Sequence, residues 1–188
     1  MHSPYRRLMA RPPRLQVPGG LYHITSHANA GRELFVDDVE RREFLDILAA
    51  LLPGRAWSCM AYCLMTTHYH LLVQTCEADL AAGMQYLNGR FAQRVNVLRQ
   101  ERGHLFDARY GSIFVETEQH ALQAHRYIAL NPVEASIVAR PEDWPWSSYR
   151  AMLGLAPAPS FLDVTAALVL FGPTPDAGRA RLREFVQD

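Results

Sequence analysis

Two histidines separated by a single residue, in the segment MTTHYHLLV, are the side chains of this sequence best suited to chemistry. His68 and His70 open an apolar run that is typical of a β-strand, where alternate side chains share one face. Two neutral imidazoles side by side are a natural start to a metal site, and we expect both at the edge of a cleft. The alternative is structural: one histidine caps the strand and the other is a hydrogen-bonded core residue. The pair alone is compatible with both interpretations.

A tyrosine and an asparagine four residues apart form a second candidate group, in the segment HRYIALNPV. On a helix, Tyr127 and Asn131 project from the same side. The residue before a proline resists the α conformation, so we expect the helix to end near Leu130, with Tyr127 in its last turn. In a purely structural interpretation, Asn131 is the helix cap. If the helix instead crosses the face that carries the histidines, the Asn131 oxygen could complete a divalent-ion site beside Tyr127.

The elements that must position these groups follow the order β-α-β-β-α-β and then a helix. Strand-like alternation occurs at 21–29, 56–65, 68–75 and 112–117, and helical spacing at 38–52, 79–100 and 118–130. This order predicts an α+β fold of the ferredoxin-like, split β-α-β type, with a four-stranded antiparallel sheet and helices packed on it. The candidate tyrosine then lies on the helix after the last core strand.

Length and composition predict one main domain over residues 1–150, followed at 151–188 by a Pro- and Ala-rich linker and a short helical tail. No apolar run approaches the roughly 20 residues of a membrane-spanning helix, and the arginine-containing start is not followed by the apolar stretch of a secretory signal. The three cysteines are an odd number. We therefore expect a cytoplasmic protein with reduced thiols, as a monomer or a homodimer, without a membrane partner.

The formal net charge is zero, which argues against binding nucleic acid through bulk charge. The distribution is uneven, because every basic residue is an arginine and two arginine groups stand out: Arg6, Arg7, Arg11 and Arg14, and then Arg90, Arg94, Arg99, Arg102 and Arg109. The guanidinium fork suits phosphate contacts, so two local patches permit a nucleic-acid footprint on a neutral protein. A genome rich in G and C would also explain the absence of lysine.

Six segments in this order resemble the REP-associated tyrosine transposases, which are HUH single-tyrosine transposases: PRLQVPGGLYHIT, HYHLLV, LNGRFAQRVN, GHLFDARY, RYIALNPV and WPWSSY. The resemblance covers roughly residues 10–150. It implies a metal-dependent nuclease and strand transferase that acts on single-stranded DNA hairpins through a 5′-phosphotyrosine intermediate. It also implies that His68, His70 and Asn131 are the ligands of Mg²⁺ or Mn²⁺ and that Tyr127 is the nucleophile.

For such an enzyme, arginines would hold the DNA backbone and an aromatic ring would stack on a base. Our candidates are Arg90, Arg94, Phe106 and Arg109, with a solvated helix face as the alternative for the first two. Two other functions stay open: a domesticated hairpin-binding protein that no longer cleaves, and a small-molecule hydrolase or oxygenase. The latter would need a carboxylate ligand near the histidines, and Glu77 is the nearest along the chain.

Overall fold

The computed structural model describes residues 16–29 and 31–187. The first arginine group lies outside these residues. The elements of the core are β1 (Leu21–His27), α1 (Asp38–Gly54), β2 (Ser58–Leu64), β3 (His68–Gln74), α2 (Leu80–Arg99), β4 (Gly111–Phe114) and α3 (Glu118–Glu134). After a 3-10 turn at Pro141–Asp143 follow α4 (Tyr149–Met152), α5 (Val164–Val169) and α6 (Pro175–Gln187). Among the described residues, no helix is long and apolar enough to cross a membrane.

The four strands form one antiparallel sheet in the order β2-β3-β1-β4. The two central strands are β1 and β3, which are neighbours in the sheet but not consecutive in the chain. This strand order is that of the split β-α-β arrangement. The predicted ferredoxin-like fold is therefore confirmed. The hairpin between β2 and β3 is closed by a hydrogen bond from the Met65 amide to the His68 carbonyl, 2.8 Å long.

Helices cover both faces of the sheet. On one face, Tyr69 of β3 packs on Phe44 of α1 with ring centroids 4.6 Å apart, and Phe44 packs on Phe91 of α2 at 5.2 Å. On the other face, α3 lies over β3, where the rings of Tyr127 and His70 are 5.3 Å apart. The alternation of β3 thus sends Tyr69 into the core below α1 and α2 and the two histidines towards α3.

The prediction for the end of α3 was wrong. The helix continues through Pro132 to Glu134, and its last turn is closed by a hydrogen bond from the Ala135 amide to the Asn131 carbonyl. Burial explains the difference, because Asn131 and Pro132 pack inside the protein and tertiary contacts override the local preference before proline. Tyr127 is therefore two turns from the helix end, and Asn131 is a helical residue rather than a cap.

The segment after residue 150 packs on the same core. The Asp163 amide donates to the Cys59 carbonyl of β2 at 2.8 Å, and the ring of Phe171 contacts His125 of α3 at 5.5 Å. Leu182 and Val186 of α6 are buried. We propose that this segment, which the sequence divides from the main domain as a linker and tail, stabilises α3 from the side away from the sheet.

Gly83 of α2 offers a test of how α2 packs. A Cβ at this position would overlap the Trp57 ring, whereas a Cβ at Gly89 on the same helix meets nothing within 4 Å. We expect Gly83→Ala to lower the free energy of unfolding by about 2–3 kcal/mol, and Gly89→Ala to raise it by up to about 1 kcal/mol. Urea unfolding measures both. Equal stability of the two variants would contradict the packing described here.

Candidate metal and nucleophile site

Strand β3 presents His68 and His70 on the face covered by α3. His68 is partly exposed, whereas His70 is 2% exposed and belongs to the interior. The expectation that both histidines lie at a cleft edge is therefore wrong for His70, whereas His68 keeps part of its surface in solvent. The two rings meet nearly perpendicular, with centroids 4.9 Å apart.

Helix α3 brings both of its candidate residues to the histidines. The Asn131 Oδ1 atom lies 3.2 Å from His68 Nε2, and the Tyr127 ring packs edge-on against His70. Tyr127 is 44% exposed, so a substrate in solvent can reach it. The structure thus brings together all four residues that the resemblance assigns to metal binding and nucleophilic attack.

Strand β1 adds two histidines that the sequence analysis missed. His23 Nε2 lies 3.1 Å from His70 Nδ1, and the His27 ring stacks on His68 with centroids 4.8 Å apart. The signal was present: His23 and His27 are four residues apart on a strand, and hence on one face. Only the pairing of β1 with β3, in which His27 lies opposite His68, shows that this face is shared.

Burial favours the neutral form of three of the imidazoles, those of His23, His68 and His70. It lowers the pKa of His70 to about 2, with the neighbouring His23 and His68 rings adding to the effect. The pKa of His23 falls to about 4, from burial first and then His120. Burial and His27 also lower the pKa of His68, although the hydrogen bond to Asn131 opposes them. At neutral pH each ring therefore keeps one lone pair on nitrogen.

The donor atoms fit a divalent cation. His70 Nε2 is buried and has no hydrogen-bond partner among the described residues, although its Nδ1 is engaged. At His68, Nε2 lies 3.2 Å from Asn131 Oδ1, an acceptor, so the ring donates through Nε2 in this contact. Nδ1 lies 3.1 Å from Thr67 Oγ1, a hydroxyl that can donate or accept, so the other tautomer, with the lone pair on Nε2, also has a partner. In the part of the chain that the structure describes, no group of three His, Cys, Asp or Glu could hold a metal. Two imidazoles and one amide oxygen are the set that this geometry offers.

Glu77 is remote from this site. His68 begins β3 and Gln74 ends it, so the loop that carries Glu77 lies at the opposite end of the strand, roughly 20 Å away. Glu77 is therefore not placed to act as the carboxylate ligand that a small-molecule hydrolase or oxygenase would need beside the histidine pair.

The candidate DNA contacts fall into two places. Arg90 and Arg94 lie on α2, in the layer on the other side of the sheet from the histidines. Arg90 is exposed and has no ion pair among the described residues, whereas Arg94 forms two hydrogen bonds to the Glu43 carboxylate, 2.8 and 3.0 Å long. This contact lowers the pKa of Glu43. Arg94 is therefore already paired within the protein.

Six further arginines also form an ion pair with a carboxylate among the described residues. Described pairs join Arg32 to Glu101, Arg41 to Asp38, Arg55 to Asp79, Arg99 to Glu40, Arg140 to Asp143 and Arg179 to Asp176. Because the two opposite charges of each pair lie next to each other, the electric field of the pair is weak at larger distances. The fold brings Glu40 and Glu43 of α1 next to arginines of α2, whereas the acids paired with Arg41, Arg140 and Arg179 are three residues away in the sequence.

Phe106 and Arg109 lie in the loop between α2 and β4, which borders the histidine end of β1. The Asp107 amide donates to the His27 carbonyl at 3.1 Å. Phe106 is half-buried against Tyr69 and Phe91, and Arg109 is exposed. Together with one side of α2 this loop encloses a cleft of about 830 Å³. Of the four candidates, these two lie on the loop that contacts the end of β1.

The family model of IS200-like transposases matches residues 16–131, which include the whole sheet and end on Asn131. The chain belongs to the IS200-like transposase family. It is therefore an enzyme of the tyrosine transposase class. The matched stretch ends before α4, α5 and α6, so these helices are additions to the part that the family model describes.

Two relatives agree with this assignment. A REP-associated tyrosine transposase of Haemophilus influenzae is 24% identical over 142 residues, covering 70% of this chain and 80% of that protein. The solved structure of a REP-associated tyrosine transposase bound to a REP hairpin superposes with a TM-score of 0.68 at 18% identity. That superposition covers 82% of this chain and 94% of the other, and it shows a shared fold. The resemblance drawn from the six sequence segments is confirmed.

His125, on the same helix as Tyr127, makes the fold sensitive to acid. It is 2% exposed, and burial lowers its pKa from 6.5 to about 4. Between these values the unfolded chain binds a proton that the folded protein excludes, so stability falls as pH drops from 6.5 towards 4. We expect His125→Phe to remove about 3 kcal/mol of this loss. Urea unfolding at pH 7 and pH 4 measures the difference, and identical pH profiles would contradict it.

Proposed function

We propose that this protein cleaves and rejoins single-stranded DNA at hairpins, with Tyr127 as the nucleophile and a divalent cation held by His68, His70 and Asn131. One observation carries the proposal: α3 places Tyr127 against the His70 ring and Asn131 against His68, so nucleophile and donor atoms share one face. Membership of a tyrosine transposase family supports the same chemistry.

The bonds change in a balanced exchange. The Tyr127 oxygen forms a bond to the phosphorus of the scissile phosphate, and the bond from phosphorus to the 3′ oxygen breaks. The proton lost by the tyrosine is matched by one gained on the departing 3′-hydroxyl. The product is DNA joined through its 5′ phosphate to Tyr127, and a 3′-hydroxyl can reverse the step to join strands. Covalent catalysis thus divides one displacement into two without an external energy source.

The residues around the tyrosine each contribute to this step. A bound Mg²⁺ or Mn²⁺ would supply Lewis-acid polarisation of a phosphate oxygen. Neutral His68 and His70 each keep one ring lone pair at pH 7, and Asn131 adds a neutral oxygen donor. Binding through His68 Nε2 would require its proton, which the contact with Asn131 Oδ1 places on Nε2, to move to Nδ1 beside Thr67 Oγ1. A neutral donor set leaves the cation its full charge, which is what a phosphate ligand needs. Exposure of Tyr127 allows the phosphate to approach.

The substrate part of the proposal rests on the loop at the end of β1 and on a relative that binds a REP hairpin. We propose that Arg109 contacts the backbone of the strand that enters the site and that Phe106 supports a base from the side of the cleft. Arg90 would hold phosphates that extend over α2. Arg94 would join it only after leaving Glu43.

These assignments predict different salt dependences of hairpin binding. Each phosphate contact on a single strand contributes a slope of about 0.7 in log affinity against log salt. We expect Arg109→Ala to reduce the slope by about that amount and Arg94→Ala to leave it unchanged, because Glu43 already neutralises Arg94. Fluorescence anisotropy over a range of NaCl concentrations measures both. The reverse ranking would place the DNA along α2 instead.

The direct test of the proposed function is the covalent adduct. The protein is incubated with a labelled single-stranded hairpin and Mn²⁺ and separated on a denaturing gel, where a protein–DNA band is the expected result. Binding to the hairpin without any adduct would favour the alternative of a domesticated binding protein. Absence of both binding and adduct would overturn the proposal as a whole.

A further inference from the structure

His23 holds an unusual position beside the proposed metal site. It belongs to β1, where it lies diagonally across from His70 on the same sheet face, since Thr25 is the residue directly opposite His70. Its ring is buried, 9% exposed, and is packed against His70 and Tyr127. The only hydrogen bond described for the His70 side chain is the one to His23, 3.1 Å from Nδ1 to Nε2.

The hydrogen bond between His23 Nε2 and His70 Nδ1 contains one proton, which can belong to either ring. A hydrogen bond between two imidazole nitrogens needs a donor on one ring and an acceptor on the other. If His23 donates, the His70 proton sits on Nε2, where it would be a buried donor without a partner among the described residues. If His70 donates, its proton sits on Nδ1, and the buried Nε2 presents a lone pair. Only the second arrangement allows His70 to bind a cation through Nε2.

We propose that His23 is a positioning residue that accepts the His70 Nδ1 proton and so fixes the tautomer in which His70 Nε2 can bind the cation. The proposal rests on the metal site proposed above. Partners of this kind orient metal-bound histidines and increase their basicity, and their loss typically weakens metal binding about 10- to 100-fold. The burial of both rings supports the role, because it shields the contact between His23 Nε2 and His70 Nδ1 from solvent.

The chain offers a matched set of variants. His23→Phe keeps a flat ring and removes the acceptor, whereas His23→Gln restores an acceptor oxygen at about the position of Nε2. His27→Phe is the control, because His27 lies on the same strand and face but only stacks on a proposed ligand. We expect Mn²⁺ to bind His23→Phe about 10- to 100-fold more weakly than wild type, and His23→Gln and His27→Phe within about threefold.

Two measurements test the proposal on the full chain. Electron paramagnetic resonance of free Mn²⁺ gives the affinities, and ¹⁵N NMR of the imidazoles gives the tautomer of His70 in the wild-type protein without added metal. We expect the Nδ1–H form in wild type and an increased share of the Nε2–H form in His23→Phe. The wild-type spectrum needs no substitution, so it tests the proposal even if His23→Phe does not fold.

The outcomes distinguish the role proposed for His23 from the proposed metal site on which that role depends. Wild-type Mn²⁺ affinity in folded His23→Phe, or an Nε2–H form of His70 in wild type, overturns the role of His23 and leaves the metal site standing. Unchanged Mn²⁺ affinity in His68→Ala overturns the metal site itself, and the role of His23 with it. Weak binding in His23→Phe that His23→Gln restores supports both.

Discussion

Tyr127→Phe is expected to bind single-stranded hairpins with near wild-type affinity and to form no covalent adduct. The substitution deletes one oxygen and keeps the ring that packs against His23 and His70. The proposed ligands and Arg109 are unchanged, so the DNA and the cation retain their contacts. Without the hydroxyl there is no atom to form the phosphate ester, and cleavage should fall below detection.

Neither Tyr69 nor Tyr149 can replace it. Tyr69 is fully buried on the opposite face of the sheet, where it donates to Asn88, and Tyr149 is 2% exposed in α4. Tyr86→Phe, which removes the hydroxyl of an exposed tyrosine on α2, is a suitable control and should form the adduct normally. An adduct in Tyr127→Phe would show that the nucleophile is assigned to the wrong residue.

His68→Ala is expected to abolish metal-dependent cleavage while the protein stays folded. The residue is only partly buried, and its ring meets those of His27 and His70 at its sides, so little core packing is lost. Its other contacts are polar, with Thr67 and Asn131. Removing one of the three donors should weaken binding of the cation. We expect the loss of several kcal/mol of transition-state stabilisation, which lowers the cleavage rate about 10³-fold. Single-turnover cleavage with a titration of Mn²⁺ measures this.

We expect His70→Ala to lower the stability of the protein as well as its cleavage activity. His70 is almost completely buried, so His70→Ala also leaves a cavity between α3 and the sheet. We therefore expect a loss of stability in addition to the loss of cleavage, and thermal unfolding distinguishes the two variants. Full cleavage by a folded His68→Ala would contradict the ligand assignment and favour a structural role for the histidine pair.

The sequence was sufficient for the parts of the fold that depend on local patterns. Alternation located the strands and placed Tyr69 opposite the histidines, and helical spacing located α1 and α2. The N-terminus of α1 also follows from its cap, because Asp37 accepts a hydrogen bond from the Glu40 amide at 3.0 Å. These features depend on residues near each other in the chain, which is why a single sequence reveals them.

The features that the sequence missed depend on tertiary contacts. Asn131 and Pro132 remain helical because they are buried, although Asn-Pro usually ends a helix. The role proposed for His23 depends on which strand lies next to β3. The pairing of Arg94 with Glu43 joins two helices that are distant in sequence. None of these could be derived from spacing along one element.

The pairing of arginines with carboxylates has a consequence for how the enzyme finds its target. Paired charges produce little field beyond the Debye length, which is about 8 Å at physiological ionic strength. A neutral chain with such pairs gains little electrostatic acceleration of its encounters with DNA. We therefore expect duplex DNA to retain it weakly, because retention depends on unpaired positive charge. For the substrate proposed above, binding would then depend on how well a structured strand fits the site, and duplex DNA would compete weakly.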